Sequence, residues 1–139
     1  MVMNMSKKFF KAEMDNLEEM IQFILLQAKR IVKNRKIDYQ LRLVSEEAFI
    51  NIINYAYGKE SGELKIDCKI VNNDTIFIEI IDTGTAFDPL QKEDPDITLP
   101  LEEIKDWGLG IFIIKNIMDT VHYKREDEQN ILTLTKKLL

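Results

Sequence analysis

The sequence predicts an α+β fold: a two-layer sandwich with a mixed, mostly antiparallel sheet and its helices on one face. Three observations predict it. The hydrophobic period is helical from Leu17 to Gly58, changes to two from Glu63, and is two again in the last residues. The expected order of strand, helix, helix, strand, strand, long connection, helix, strand, strand has too few alternations for a doubly wound sheet. At 139 residues, with 45% hydrophobic and 31% charged residues, the chain can build one proper core, so residues 1–139 are read as a single domain.

Residues 8–14, KFFKAEM, place Phe10, Ala12 and Met14 on one face and predict the first strand. Asp15 ends it, and Asp15 with Glu18 has the spacing of a capping box. Leu17, Ile21, Ile24, Ala28 and Ile31 continue as the apolar stripe of a first helix. KNRK, residues 33–36, puts cations at the negative end of that helix, where Asn34 suits a left-handed cap. Asp38 is the expected cap of a second helix, which carries SEEAFINIINYAYG, residues 45–58, and stops at Gly58. On this otherwise apolar helix Glu47, Asn51 and Asn54 follow at i, i+4 and i+7 and form one polar stripe. Two readings are open for it: a solvent-facing edge, or a general base one turn before a metal ligand.

From Glu63 the pattern predicts a hairpin. Leu64, Ile66, Cys68 and Ile70 share one face of its first strand, Asn72, Asn73 and Asp74 make the turn, and Ile76, Ile78 and Ile80 share a face of the second. Counting on by two places Asp82 on that apolar face, where a carboxylate demands a partner. Alternatively Asp82 starts a turn with Thr83 and Gly84. Residues 90–106 have no strong period, and so long a connection is read as a lid over a binding site. Gly108 and Gly110 are expected just ahead of a third helix with Ile111, Ile114 and Met118 in its core stripe. Glycines there let backbone N–H groups approach an anion, although tight turns produce the same pattern. Residues 121–125 and 131–137 predict a closing hairpin, with Leu132 and Leu134 on one face and Thr133 and Thr135 on the other.

The net charge of −5 and pI near 5.0, with no clustered Lys and Arg, argue against direct nucleic-acid binding. Cys68 has no second cysteine to pair with and reads as a small apolar strand residue. No segment reaches a membrane-spanning length and no apolar signal core opens the sequence, so the cytoplasm is the expected location.

The ordered combination SEEAFINIINYAYG, DTGTAFDP, lid, GLGIFIIKNIMDTVHY and terminal ILTLTK resembles the Bergerat-fold ATPases of the GHKL superfamily. More narrowly it resembles the anti-sigma factor serine-protein kinases of bacteria, from about residue 8 to the C-terminus. The resemblance implies ATP and Mg²⁺ as cofactors, with Glu47 as catalytic base and Asn51 as the Mg²⁺ ligand. It implies Asp82 as acceptor for the exocyclic amine of adenine, Gly84 for close approach of the base, and Gly108 and Gly110 at the phosphates. Thr133 is assigned to adenine through water, with Thr135 equally compatible by alternation. Asn54 matches no required part of the motif and is read as structural. Ala86 and Trp107 depart from the family pattern beside the nucleotide. His122, the one histidine, has no acceptor motif around it and is read as a strand residue.

Implied partners are a sigma factor and an anti-anti-sigma (STAS-domain) protein, the latter phosphorylated on serine or threonine; a homodimer is implied as well. Two rival functions remain: a non-catalytic nucleotide-binding module that sequesters a protein partner, motivated by Ala86 and Trp107, and a bare ATPase in which Glu47 activates water.

Overall fold

The computed structural model describes residues 2–58, 60–91, 94–100, 102 and 106–139, with backbone alone at 2–5 and 106–108. Five strands form one sheet: β1 (Val2–Lys11), β2 (Glu63–Val71), β3 (Thr75–Asp82), β4 (Thr120–Glu126) and β5 (Gln129–Lys137), in the order β1-β2-β3-β5-β4. All four pairings are antiparallel. Three helices supply the second layer: α1 (Leu17–Ala28), α2 (Arg35–Asn51) and α3 (Asp106–Ile117). The α2 helix packs against both α1 and α3. This is the expected α+β sandwich in the expected order of elements, except that among the described residues the sheet is antiparallel throughout rather than mixed.

The core follows from strand parity. Leu64, Ile66, Cys68 and Ile70 of β2 lie opposite Asp82, Ile80, Ile78 and Ile76 of β3, and Ile80 and Ile78 lie in turn opposite Leu132 and Leu134 of β5. All of these side chains are buried, and they meet Met20, Ile21 and Ile24 of α1, Leu41 and Phe49 of α2, and Ile114 of α3. Each fully buried Ile, Leu or Phe contributes about 1.5–3 kcal/mol. Burial pushes the Cys68 thiol up to about 12, in keeping with an inert apolar role. Left-handed Asn72 and Asn73 close the β2–β3 hairpin, and Asp127 and Glu128 close β4–β5 the same way.

Local punctuation departs from expectation at three places. β1 ends at Lys11, because the chain turns at Glu13 into a short 3₁₀ turn over Met14–Asn16; Phe10 and Ala12 are buried as expected, but Met14 is 52% exposed. No capping box forms at Asp15 and Glu18: Asn16 precedes α1 without a side-chain cap, and Glu18 instead accepts from Arg42 of α2 and from Gln22. Asn34 does not close α1, which ends at Ala28. It is extended and caps α2, its side chain accepting from the Lys36 N–H at 2.7 Å, so Asp38 falls inside the first turn rather than at the cap.

A further departure was not foreseen. After Asn51 the helix continues as a π-helical segment, Ile52–Tyr57, and stops at Gly58, whose N–H donates back five residues to Ile53 O at 3.1 Å. The positive φ of Gly58 (+60°) makes that stop possible for glycine at little cost. The widened turn leaves Asn54 exposed.

Candidate functional site

Glu47 and Asn51 lie one turn apart on α2, on the side that meets α3. Gly110 of α3 lies beside both side chains. A Cβ there would press on Glu47 Oε2 and stand 3.4 Å from Glu47 Cδ and 3.5 Å from Asn51 Nδ2. The missing side chain of Gly110 therefore makes the space in which the Glu47 carboxylate sits. The α3 helix begins at Asp106, so Gly108 and Gly110 lie within it rather than ahead of it. A helix leaves its first four N–H groups unbonded, which includes Gly108 but ends before Gly110. The surroundings of Gly108 and the side chain of Trp107 lie outside the described residues, as do 92, 93, 101 and 103–105 of the expected lid. Within the described part of that connection, Asp94 pairs with Lys115 of α3.

Asp82 ends β3 on the helix-facing side and is 3% exposed. It also opens the turn, so the two readings of this residue describe one arrangement. Its Oδ1 accepts from the Gly84 N–H at 2.9 Å and from Asn130 Nδ2 at 2.8 Å. Burial raises the carboxyl's pKa above the ordinary range, against the lowering effects of Asn130, the Gly84 N–H and the charge of Arg125. The following loop is held from three sides. Thr85 N–H donates to Ala56 O in the π-helical segment at 2.8 Å, Arg125 of β4 donates to Gly84 O at 2.8 Å, and Phe87 stacks on Tyr55 with centroids 5.3 Å apart. Gly84 is required by this packing: a Cβ there would fall 2.5 Å from Ala56 O.

Asn51 and Asp82 line the same cleft, with Ala56, Phe87, Ile111 and Asn130 among its other walls. Apolar walls with a few convergent polar groups are the usual make-up of a small-molecule site. Asn51 is 5% exposed, and its Nδ2 has no hydrogen-bond partner among the described residues. Turning the amide would put its oxygen at that position. A buried, neutral oxygen with no donor suits a hard cation that completes its shell from phosphate oxygens and water. Among the described residues no cluster of three or more His, Cys, Asp or Glu could hold a metal by itself, so such a cation would depend on those added oxygens.

Thr133 is not brought to the site. It lies opposite Glu79, and Glu79 and Asp82 have opposite parity on β3, so Thr133 projects from the sheet face away from the helices; Thr135, opposite Phe77, does the same. The β5 residue paired with Asp82 is Asn130, which is 5% exposed. Sequence reasoning missed it, although the parity that turns Leu132 and Leu134 inward turns Asn130 inward too. It also missed Tyr123, whose hydroxyl donates to Asn130 Oδ1.

An antiparallel sheet under three helices, with a buried acid at the strand end and a polar stripe on the central helix, is the architecture of histidine kinase-like ATPase domains. The family model described as histidine kinase-like ATPase domain matches residues 10–136, and the chain belongs to that family. Its named relatives include protein kinases. Serine/threonine-protein kinase BtrW of Bordetella bronchiseptica is 27% identical over 101 residues, 72% of this chain and 70% of that protein. Serine-protein kinase RsbW of Bacillus thuringiensis is 29% identical over 96 residues, 66% of this chain and 59% of that protein. Two solved structures share the fold: the catalytic domain of histidine kinase ThkA (TM-score 0.52, 17% identity, 98% of both chains) and Acinetobacter baumannii histidine kinase AdeS (TM-score 0.51, 16% identity, 98% of this chain and 69% of that one). No helix among the described residues is long and apolar enough to cross a membrane.

Proposed function

We propose that the chain is a cytoplasmic ATP- and Mg²⁺-dependent protein kinase that phosphorylates a serine or threonine of an anti-anti-sigma (STAS-domain) protein and, as an anti-sigma factor, sequesters a sigma factor. The observation that carries the catalytic part is the position of Glu47, one turn before the buried Asn51 and against Gly110 of α3. In this reading Glu47 orients the attacking hydroxyl and takes its proton, while that oxygen bonds to the terminal phosphorus and the bond to the ADP oxygen breaks. Asn51 is the protein ligand for Mg²⁺, which when bound neutralises charge on the phosphates. Asp82 accepts from the exocyclic amine of adenine, with Gly84 beside it. The first turn of α3, with Gly108, presents N–H groups at the positive end of the helix dipole to the phosphates. The kinase names of BtrW and RsbW support the reaction class; the sigma factor and the STAS-domain protein rest on the family resemblance, as does a homodimer.

Radiolabelled ATP, Mg²⁺ and purified STAS-domain proteins test the proposal. Label appearing on protein supports a kinase, release of phosphate alone a bare ATPase, and neither a binding module. Glu47→Gln is expected to abolish transfer and leave ATP binding largely intact; normal transfer by that variant overturns the role of Glu47.

A further inference from the structure

Asn130 joins several of the elements around the candidate site. Its amide is saturated: Nδ2 donates to Asp82 Oδ1 at 2.8 Å and to Thr85 O at 2.9 Å, while Oδ1 accepts from the Tyr123 hydroxyl and, at 3.4 Å, from the Phe87 N–H. A single buried side chain thus ties the end of β3, the loop that follows it and β4 to the start of β5. Both acceptor positions of Asp82 Oδ1 are taken, by Asn130 and by the Gly84 N–H, whereas no described group donates to Oδ2. A buried carboxylate in a cleft with one oxygen held and the other open is a preorganised acceptor.

We propose that Asn130 is the positioning residue for base recognition: by gripping Oδ1 of Asp82 it leaves Oδ2 as the acceptor for the exocyclic amine of a purine. This rests on the reading that the cleft binds ATP. Asn130 and Asp82 face each other across the β3–β5 ladder, so the strand pairing itself holds the amide beside the carboxylate. The Gly84 N–H shares the grip on Oδ1, but no other described side chain does. Leu64, opposite on β2, is apolar, Asn51 of α2 is neutral, and Arg125 of β4 spends its hydrogen bond on Gly84 O. Tyr123 reaches the carboxylate only through Asn130.

The test compares the full-length chain with Asn130→Leu, Asn130→Asp and Tyr123→Phe. Calorimetry measures affinity for ATP and for ITP, whose base carries a carbonyl oxygen in place of the amine. In the ligand-free proteins, ¹³C NMR follows the titration of the Asp82 carboxyl. A charge-assisted hydrogen bond to the acceptor sets the scale, so the preference for ATP over ITP is expected to fall roughly tenfold in both Asn130 variants. The Asp82 titration is expected to move to higher pH, most in Asn130→Asp, where a second carboxylate replaces the donor. Tyr123→Phe, which leaves Nδ2 in place, is expected to keep the preference. If Asn130→Leu does not fold, the nearly isosteric Asn130→Asp supplies both readings. ATP binding with an unmoved preference and an unmoved titration overturns the role of Asn130 alone. Absence of ATP binding by the wild-type chain overturns it together with the kinase reading.

Discussion

Replacing Gly110 by alanine is expected to separate stability from the proposed catalysis. The added Cβ presses on Glu47 Oε2 but stands 3.5 Å from Asn51 Nδ2, an ordinary contact. The pressed atom is the far end of a flexible side chain, so the strain is relieved by turning the Glu47 carboxylate aside, with both helices left in place. Alanine is better than glycine in a helix interior by about 1 kcal/mol. For a chain of this length that corresponds to a melting temperature about 4 °C higher. A catalytic group misplaced by about 1 Å costs on the order of 100-fold in rate. The expected variant is therefore as stable as the wild type or slightly more so, binds ATP, and transfers phosphate roughly 100-fold more slowly. Initial rates with saturating radiolabelled ATP, beside a thermal melt, measure both quantities. A wild-type rate in the folded variant would refute the link between Gly110 and Glu47. A large loss of stability would show that the backbone, and not the carboxylate, absorbs the contact.

At Gly84 the sign is opposite, because the added Cβ meets the backbone of Ala56, 2.5 Å from its oxygen. Gly84→Ala is expected to lose about 2 kcal/mol, seen as a lower urea midpoint at unchanged slope. Asn34→Ala is expected to cost about 1 kcal/mol through loss of the α2 cap, with Asp38→Ala costing less; the reverse order would restore Asp38 as the cap. The raised pKa of Asp82 has a definite sign. Because the folded state holds its proton more tightly than the unfolded chain, ionising Asp82 lowers stability as pH rises from the unfolded pKa through the folded one. If Asp82 accepts from adenine as proposed, the ionised acceptor exists only above the folded pKa, and ATP affinity is expected to fall as pH is lowered toward it. Asp82→Asn is expected to weaken ATP binding and to remove that part of the pH dependence, measured by calorimetry at matched pH so that titration of the nucleotide itself cancels.

What was legible in the sequence was whatever depends on period. The strands, the helices, their order and the inward turn of Asp82 all follow from counting by two or by 3.6, and the structure has them. What was not legible depends on which element lies beside which. Asn34 and Asp38 are both good caps, and only the end of α1 at Ala28 decides between them. Gly110 is visible as a glycine, but the carboxylate it makes room for belongs to another helix. The π-helical segment after Asn51 has no composition that announces it; its Ala56 carbonyl is where the Asp82 loop docks.

Thr133 and Asn130 show that parity held more information than the resemblance did. Once Leu132 and Leu134 are turned inward, Thr133 must point away and Asn130 must join the core face, and Asp82 is on that face already. Two polar side chains at one end of an otherwise apolar ladder are costly to bury unless they satisfy each other or a ligand. Asp82 and Asn130 satisfy each other through one oxygen of the carboxylate. The oxygen left over and Asn51 Nδ2, which has no partner among the described residues, belong to residues that line the same cleft. In the proposed kinase the first accepts from adenine and the second, with its amide turned, holds the cation at the phosphates, so the two groups that burial leaves unsatisfied are the two that a bound nucleotide would satisfy.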